Sequence, residues 1–216
     1  VGSEMCIRDS SIPFKLTLNG LFQFAVKPKW ALNYLTHEKF SLPQLEEFID
    51  MKGDSVSVGK YFTEMLDPAM TWDDVARMVE FWDGQFCLKG VMSVEDALKA
   101  AEIGCTGIVV SNHGGRQLDG SRSPFDQLGE IVDAVGDRLD VIMDSGIQRG
   151  THILKALSMG AKAVGGGRFY LYALAAAGQG GVERALELMK LEIERDMRLM
   201  GVTRLSDLNR DNLRFR

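Results

Sequence analysis

The run Ser111-Asn112-His113-Gly114-Gly115-Arg116-Gln117-Leu118-Asp119-Gly120 sets an imidazole and a guanidinium three residues apart, with two glycines between them. A guanidinium grips a carboxylate through two parallel N–H donors and an imidazole moves a proton near neutral pH. His113 and Arg116 together therefore suit a small carboxylic acid that gains or loses a proton. The glycines let a planar ring or a substrate come close to the backbone. Taken alone, a loop histidine is more often structural, and Arg116 has Asp119 within reach as an ordinary partner. Lys89 poses a second question, because it ends the apolar run Phe86-Cys87-Leu88. An ammonium there is costly unless it meets an anion or an electron-rich ligand, and Asp144 is the plain alternative. Two glycine-bearing turns complete the set, Asp144-Ser145-Gly146-Ile147-Gln148-Arg149-Gly150 and Gly165-Gly166-Gly167-Arg168. Bare N–H groups, a helix N-terminus and a nearby arginine make an anion cradle. One such turn often only lets a helix pack; two in succession, each with an arginine, favour an anion.

The elements that must position these residues repeat four times. Residues 86–89 read as a strand, followed by a helix that Ser93 starts with Asp96 three residues on, its apolar face Val94, Ala97, Leu98 and Ala101. Residues 107–111 lead into a helix over about 125–135, and residues 140–143 into one over about 150–159 that ends at Gly160. Residues 163–166 lead into a helix over about 168–177, again closed by a glycine. Ile108-Val109-Val110 and Val141-Ile142-Met143 are apolar without alternation, so both faces are expected to be buried, as in a parallel sheet. Every residue singled out above falls at or just past a strand's C-terminal end, where α/β barrels and doubly wound sheets both build their sites. A glycine turn after the last strand rather than the first favours the TIM (β/α)8 barrel.

Outside the repeats, Thr71 and Asp74 mark a helix to about residue 83 with Val75, Met78, Val79 and Trp82 on one face. Val182, Leu186, Met189, Ile193, Met197 and Met200 mark a long amphipathic helix, expected to pack rather than to bind a partner. Residues 11–66 carry no clear strand-helix unit. Within them, residues 21–35 are aromatic and basic; a covering loop or helix is the first reading and a peripheral membrane contact the second. A full barrel needs about 250 residues, so four units are expected to be the C-terminal part of one. Residues 1–10 lack both an initiator methionine and any periodicity and read as a non-native scar, which leaves 11–216 as one domain.

Composition narrows the partners. A charge of -5, from 25 Lys and Arg against 30 Asp and Glu, argues against nucleic acid. Cys6, Cys87 and Cys105 show no metal-ligand spacing, and Cys87 and Cys105 lie in apolar runs, as buried thiols of a reducing compartment do. No run is apolar enough for a membrane span and no signal peptide is seen, so a cytoplasmic location is expected, with the membrane's inner face as an extension of it.

The runs Leu88-Lys89-Gly90-Val91, Val110 to Asp119, Asp144-Ser145-Gly146-Ile147 and Gly167-Arg168 resemble the FMN-dependent α-hydroxy-acid dehydrogenase/oxidase family, which includes L-lactate dehydrogenases, glycolate oxidases and mandelate dehydrogenases. The resemblance covers roughly residues 11–216 and implies a barrel and oxidation of an L-2-hydroxy acid, L-lactate first. It implies His113 as the base, Arg116 as the carboxylate clamp, and Lys89 and Ser111 against the flavin ring. Asp144, Ser145, Gly146, Ile147 and Gln148 would line the ribityl chain and phosphate, with Gly167 and Arg168 closing on the phosphate. Gln148 stands where the family usually has an arginine, and Arg149 beside it is the substitute expected to bind there. The electron acceptor, whether oxygen, a quinone or a cytochrome, is open, and the complete protein is expected to be a homo-oligomer. The family's N-terminal half has no counterpart here, so the chain alone is expected not to turn over. Another FMN barrel enzyme, or a partial barrel without activity, is the competing reading.

Overall fold

The computed structural model describes residues 18–36, 67 and 69–214, which fall into two compact units. The predicted scar at 1–10 and Cys6 lie outside the described residues.

In the smaller unit, α1 (Leu18–Ala25) and α2 (Pro28–Thr36) are joined through Val26 and Lys27. Pro28 suits the first helical position, where no N–H partner is needed. Phe24, Trp30 and Tyr34 cluster, the Trp30 and Tyr34 rings stacking at 5.4 Å. Little else in the pair is covered: Leu18, Phe22, Leu32 and Leu35 are exposed.

The larger unit opens with α3 (Trp72–Trp82), whose N-terminus is closed by a capping box. Thr71 donates from both its backbone N–H and its hydroxyl to Asp74, each at 2.7 Å. These bonds, with Arg77, hold the Asp74 carboxyl down at about 2. The expected apolar face is only half used. Val75 is buried, with Trp72 and Val79 against the core, while Met78 and Trp82 face outward. Met78 and Trp82 stand three and seven residues from Val75, so helical spacing alone does not set which of the predicted face is covered.

Four units follow: β1 (Cys87–Lys89) with α4 (Val94–Glu102), β2 (Gly107–Val110) with α5 (Pro124–Val135), β3 (Asp140–Met143) with α6 (Gly150–Met159), and β4 (Ala163–Val164) with α7 (Arg168–Met200). All neighbouring strands are parallel and their order is β1-β2-β3-β4. An order that never reverses has no switch point, which sets it apart from a doubly wound sheet and fits successive staves of a barrel. Ile108, Val110, Val141 and Met143 are buried with Leu128, Ile131 and Val135 of α5, which accounts for the unalternating strands. Ser93 caps α4 as its spacing predicts, accepting from the Asp96 N–H at 3.1 Å. We expect Ser93→Ala to cost about 1 kcal/mol, lowering the thermal midpoint by roughly 2–4 °C in calorimetry.

One expectation needs correction. Cys105 is buried, but Cys87 is exposed: in the alternation of β1 it shares a face with the exposed Lys89, while Leu88 on the other face is half-buried. The last two predicted helices are both present, the two pieces of α7 being separated by a break at Ala177 and Gly178, whose φ of +59° is left-handed. Gly178 thus ends the first piece as expected while the chain continues helically beyond it. Of the predicted stripe in the second piece Met189 is buried, whereas Leu186 is exposed. Close approach of this helix to α6 depends on Gly150, where a Cβ would lie 2.9 Å from the Ile193 backbone nitrogen.

Candidate active site at the strand ends

Parallel pairing brings Lys89, Ser111, Asp144 and Gly165 to one edge of the sheet, since each stands at or just past the end of its strand. Their side chains bond to one another there. Lys89 Nζ donates to Ser111 Oγ at 2.7 Å and lies 3.2 Å from Asp144 Oδ2. Ser111 is buried, and its Oγ also accepts from the His113 backbone N–H at 3.1 Å. Asp144 is thus the partner of Lys89, as the plain alternative had it. The lysine side chain nonetheless stays 39% exposed, within reach of a ligand.

The β2–α5 loop is wound tightly around its glycines. His113, Gly114 and Gly115 have φ of +54°, +70° and +71°, three consecutive left-handed residues. Asn112 makes this possible by accepting from the Gly114 and Gly115 N–H groups at 3.0 and 3.2 Å, while its amide donates to Arg122 O at 3.2 Å. Gly114 is where three loops meet. Its N–H also donates to Ser145 Oγ at 2.9 Å, and its carbonyl accepts from Arg168 at 2.6 Å. A Cβ at Gly114 would collide with the Arg168 guanidinium. Ser145 in turn donates to Asp144 Oδ1 at 2.7 Å and itself has φ of +76°.

His113 is half-buried. Burial, then the positive charges of Lys89 and Arg116, hold its pKa below the usual histidine value, Asp144 opposes them, and Arg168 adds to them. The direction of this shift favours the uncharged imidazole. Among the described residues Arg116 forms no ion pair, so the alternative with Asp119 is not made and its fork is free for an anion.

The Asp144–Arg149 run divides. Asp144 and Ser145 join the cluster, and Gly146, at φ of +74°, has open space where a Cβ would be, as has Gly167. Ile147 points into the core and Gln148 is exposed. Arg149 turns away: Glu192 of α7 takes its guanidinium at 2.6–2.7 Å and the Gly150 N–H at 3.1 Å. Three residues that position the site went unassigned in the sequence. Asn112 lay inside the motif without a role, Glu192 is far along the chain with nothing to point to it, and His152 in the first turn of α6 has Nδ1 3.1 Å from Gly146 O. Open glycine backbone at 146 and 167, Arg168 at the α7 N-terminus and the Lys89 ammonium at the sheet edge fit a phosphorylated flavin, with the phosphate at the glycine turns and the ring toward Lys89 and His113.

Parallel strand-helix units in unbroken order, with polar side chains gathered at the strand ends, are the arrangement of an α/β-barrel site. The chain belongs to the FMN-dependent dehydrogenase family, whose description matches residues 3–215. It is 44% identical over 165 residues to the L-lactate dehydrogenase (cytochrome) of Saccharomyces cerevisiae, covering 74% of this chain and 28% of that protein. To an L-lactate dehydrogenase of Chromohalobacter salexigens it is 38% identical over 199 residues, 91% of this chain and 50% of that one. Among solved structures it resembles the monotopic membrane protein (S)-mandelate dehydrogenase, a TIM barrel, at 33% identity and a TM-score of 0.84, covering 94% of this chain and 53% of the other. The expected barrel is thereby shown, and the chain spans half or less of the two curated relatives named.

Proposed function

We propose that this chain forms the catalytic face of an FMN-dependent (S)-2-hydroxy-acid dehydrogenase or oxidase, with L-lactate as the first substrate to test. The observation that carries the reading is the single bonded cluster from Lys89 through Ser111, Asp144 and Ser145 to Gly114, beside His113, whose pKa is held low, and Arg116, which forms no ion pair among the described residues. FMN, when bound, supplies a two-electron acceptor. Arg116 grips the substrate carboxylate through its planar fork, which fixes the hydroxyl-bearing carbon near His113. His113 takes a proton from the substrate, at the carbon or at the hydroxyl, and Lys89 offers positive charge at the place where negative charge gathers. Arg168 and the glycine turns hold the phosphate.

Mixing the purified chain with FMN tests the reading. A stoichiometric yellow complex would support the flavin reading, and anaerobic bleaching of that complex with L-lactate would show that this chain turns over by itself. A complex that forms but does not bleach would support a partial barrel without turnover, and no retained flavin would sink the proposal for this chain. We expect Arg116→Lys to weaken apparent substrate affinity about 10- to 100-fold, because a point charge replaces a bidentate fork; an unaltered affinity would remove the clamp.

The smaller unit supports a second, independent assignment. Leu18, Phe22, Leu32 and Leu35 are exposed beside Lys27 and Lys29, the composition of a surface-lying membrane contact, and no helix among the described residues is long and apolar enough to cross a bilayer. The structural relative described as monotopic favours the same reading. Co-flotation with anionic liposomes, lost on Phe22→Glu with Leu32→Glu, is expected; flotation that survives both changes would exclude it.

A further inference from the structure

The turn between β3 and α6 keeps an improbable backbone. Ser145 and Gly146 are left-handed in succession, at +76° and +74°, a conformation that a residue with a Cβ rarely adopts, so the surroundings of Ser145 must hold it. From the β2 side the hold is visible in the Ser145 hydroxyl, which bonds Asp144 and the Gly114 N–H. From the α6 side it comes from His152. Its Nδ1 lies 3.1 Å from the Gly146 carbonyl and 3.3 Å from the Gln148 N–H, on either side of Ile147. A single nitrogen serves one of these at a time. With its proton on Nε2 the ring accepts from Gln148, and with a proton on Nδ1 it donates to Gly146. Either state ties α6 to the turn. The His152 main chain is anchored in the first turn of α6, where its N–H bonds Arg149 O at 3.1 Å.

This brace matters more here because side-chain charge is scarce at the turn. Gln148 is uncharged, and Arg149 is held by Glu192. Beside Arg168, an anion at this place is met by backbone N–H groups in a fixed arrangement, and such a nest works only while the turn keeps its shape. We propose that His152 is a positioning residue of the phosphate end of the site, holding the Ser145–Gln148 turn open to an anion through Nδ1. The proposal rests on the flavin reading of the cradle.

Two variants and two measurements test it. His152→Leu keeps apolar bulk and removes both bonds, whereas His152→Asn returns an amide oxygen or nitrogen close to the place of Nδ1. Amide hydrogen exchange is followed at Gln148 and at Gly114, the latter because it bonds Ser145, and FMN dissociation is followed by flavin fluorescence. In His152→Leu both amides are expected to exchange about tenfold faster, as loss of one hydrogen bond allows, and FMN affinity to fall about tenfold. The β3 amides and those late in α6 should be unchanged, and His152→Asn should stay within about threefold of the parent, where a purely space-filling role would favour leucine. Turn amides that exchange at the parent rate in His152→Leu would overturn the proposal. So would asparagine failing as leucine does, a loosened turn with undiminished FMN affinity, or a general loss of protection across β3 and α6. If the parent chain retains no FMN, the flavin reading fails on its own account, and exchange at Gln148 and Gly114 alone then decides whether His152 holds the turn.

Discussion

His113→Ala in flavin-loaded protein is expected to slow reduction of the flavin by L-lactate about 10²- to 10⁴-fold, the range that a positioned general base supplies, while leaving the bound-flavin absorption spectrum in place. The spectrum should survive because what His113 gives to the loop is backbone: its N–H bonds Ser111 Oγ, and the neighbouring turn is held by Asn112 and by the bonds at Gly114. Left-handed φ at this position is already borne by a residue with a Cβ, so alanine adds little strain. Stopped-flow reduction measures the first effect and a static spectrum the second. Reduction at an unchanged rate would remove His113 from the chemistry, and a lost flavin would make it a structural residue. The pH dependence has a definite sign. His113 works unprotonated, and burial with the cations around it lowers its pKa, so kcat/KM should stay level through neutral pH and fall only below the ordinary histidine range.

The loops owe their convergence to the sheet rather than to one another. Parallel strands in unbroken order end side by side, so whatever follows them meets at one edge, and this much a single sequence discloses. Apolar runs without alternation located the strands, and Ser93, Gly160 and Gly178 marked helix ends where the structure has them. Lys89, Ser111, His113 and Asp144 follow from that placement. What stayed hidden depends on pairs far apart in the chain. Arg149 stood ready for a phosphate until Glu192, 43 residues on, was seen to hold it. Nothing in the local pattern of either residue encodes that pair. Cys87 reads as core from its apolar neighbours, yet in β1 it lies on the same face as exposed Lys89, a face that the local pattern does not identify. His152 was passed over because a histidine in a first helical turn carries no periodic signal; its role appears only when the turn before it is known to double back over the ring.

Lys89→Met is expected to act on the rate and on its pH dependence together. Methionine keeps the aliphatic stem and removes the charge, so the sheet edge should stay packed. Three things change around it. Ser111 Oγ loses its 2.7 Å donor, Asp144 loses the cation 3.2 Å from its carboxylate, and His113 loses the charge that, after burial, does most to keep its pKa low. The last two push in the same direction, because an uncompensated Asp144 also favours the imidazolium. Burial continues to oppose protonation, so the His113 pKa should rise toward the ordinary value without greatly exceeding it. Flavin reduction by L-lactate should slow about 10²- to 10³-fold, the range for removing a preorganised charge from the place where negative charge develops. The acid limb of kcat/KM should move to higher pH in the same variant. A structural lysine would give the rate loss without moving that limb, and a limb fixed at the parent pH would therefore separate Lys89 from His113 and break the cluster on which the proposed chemistry stands.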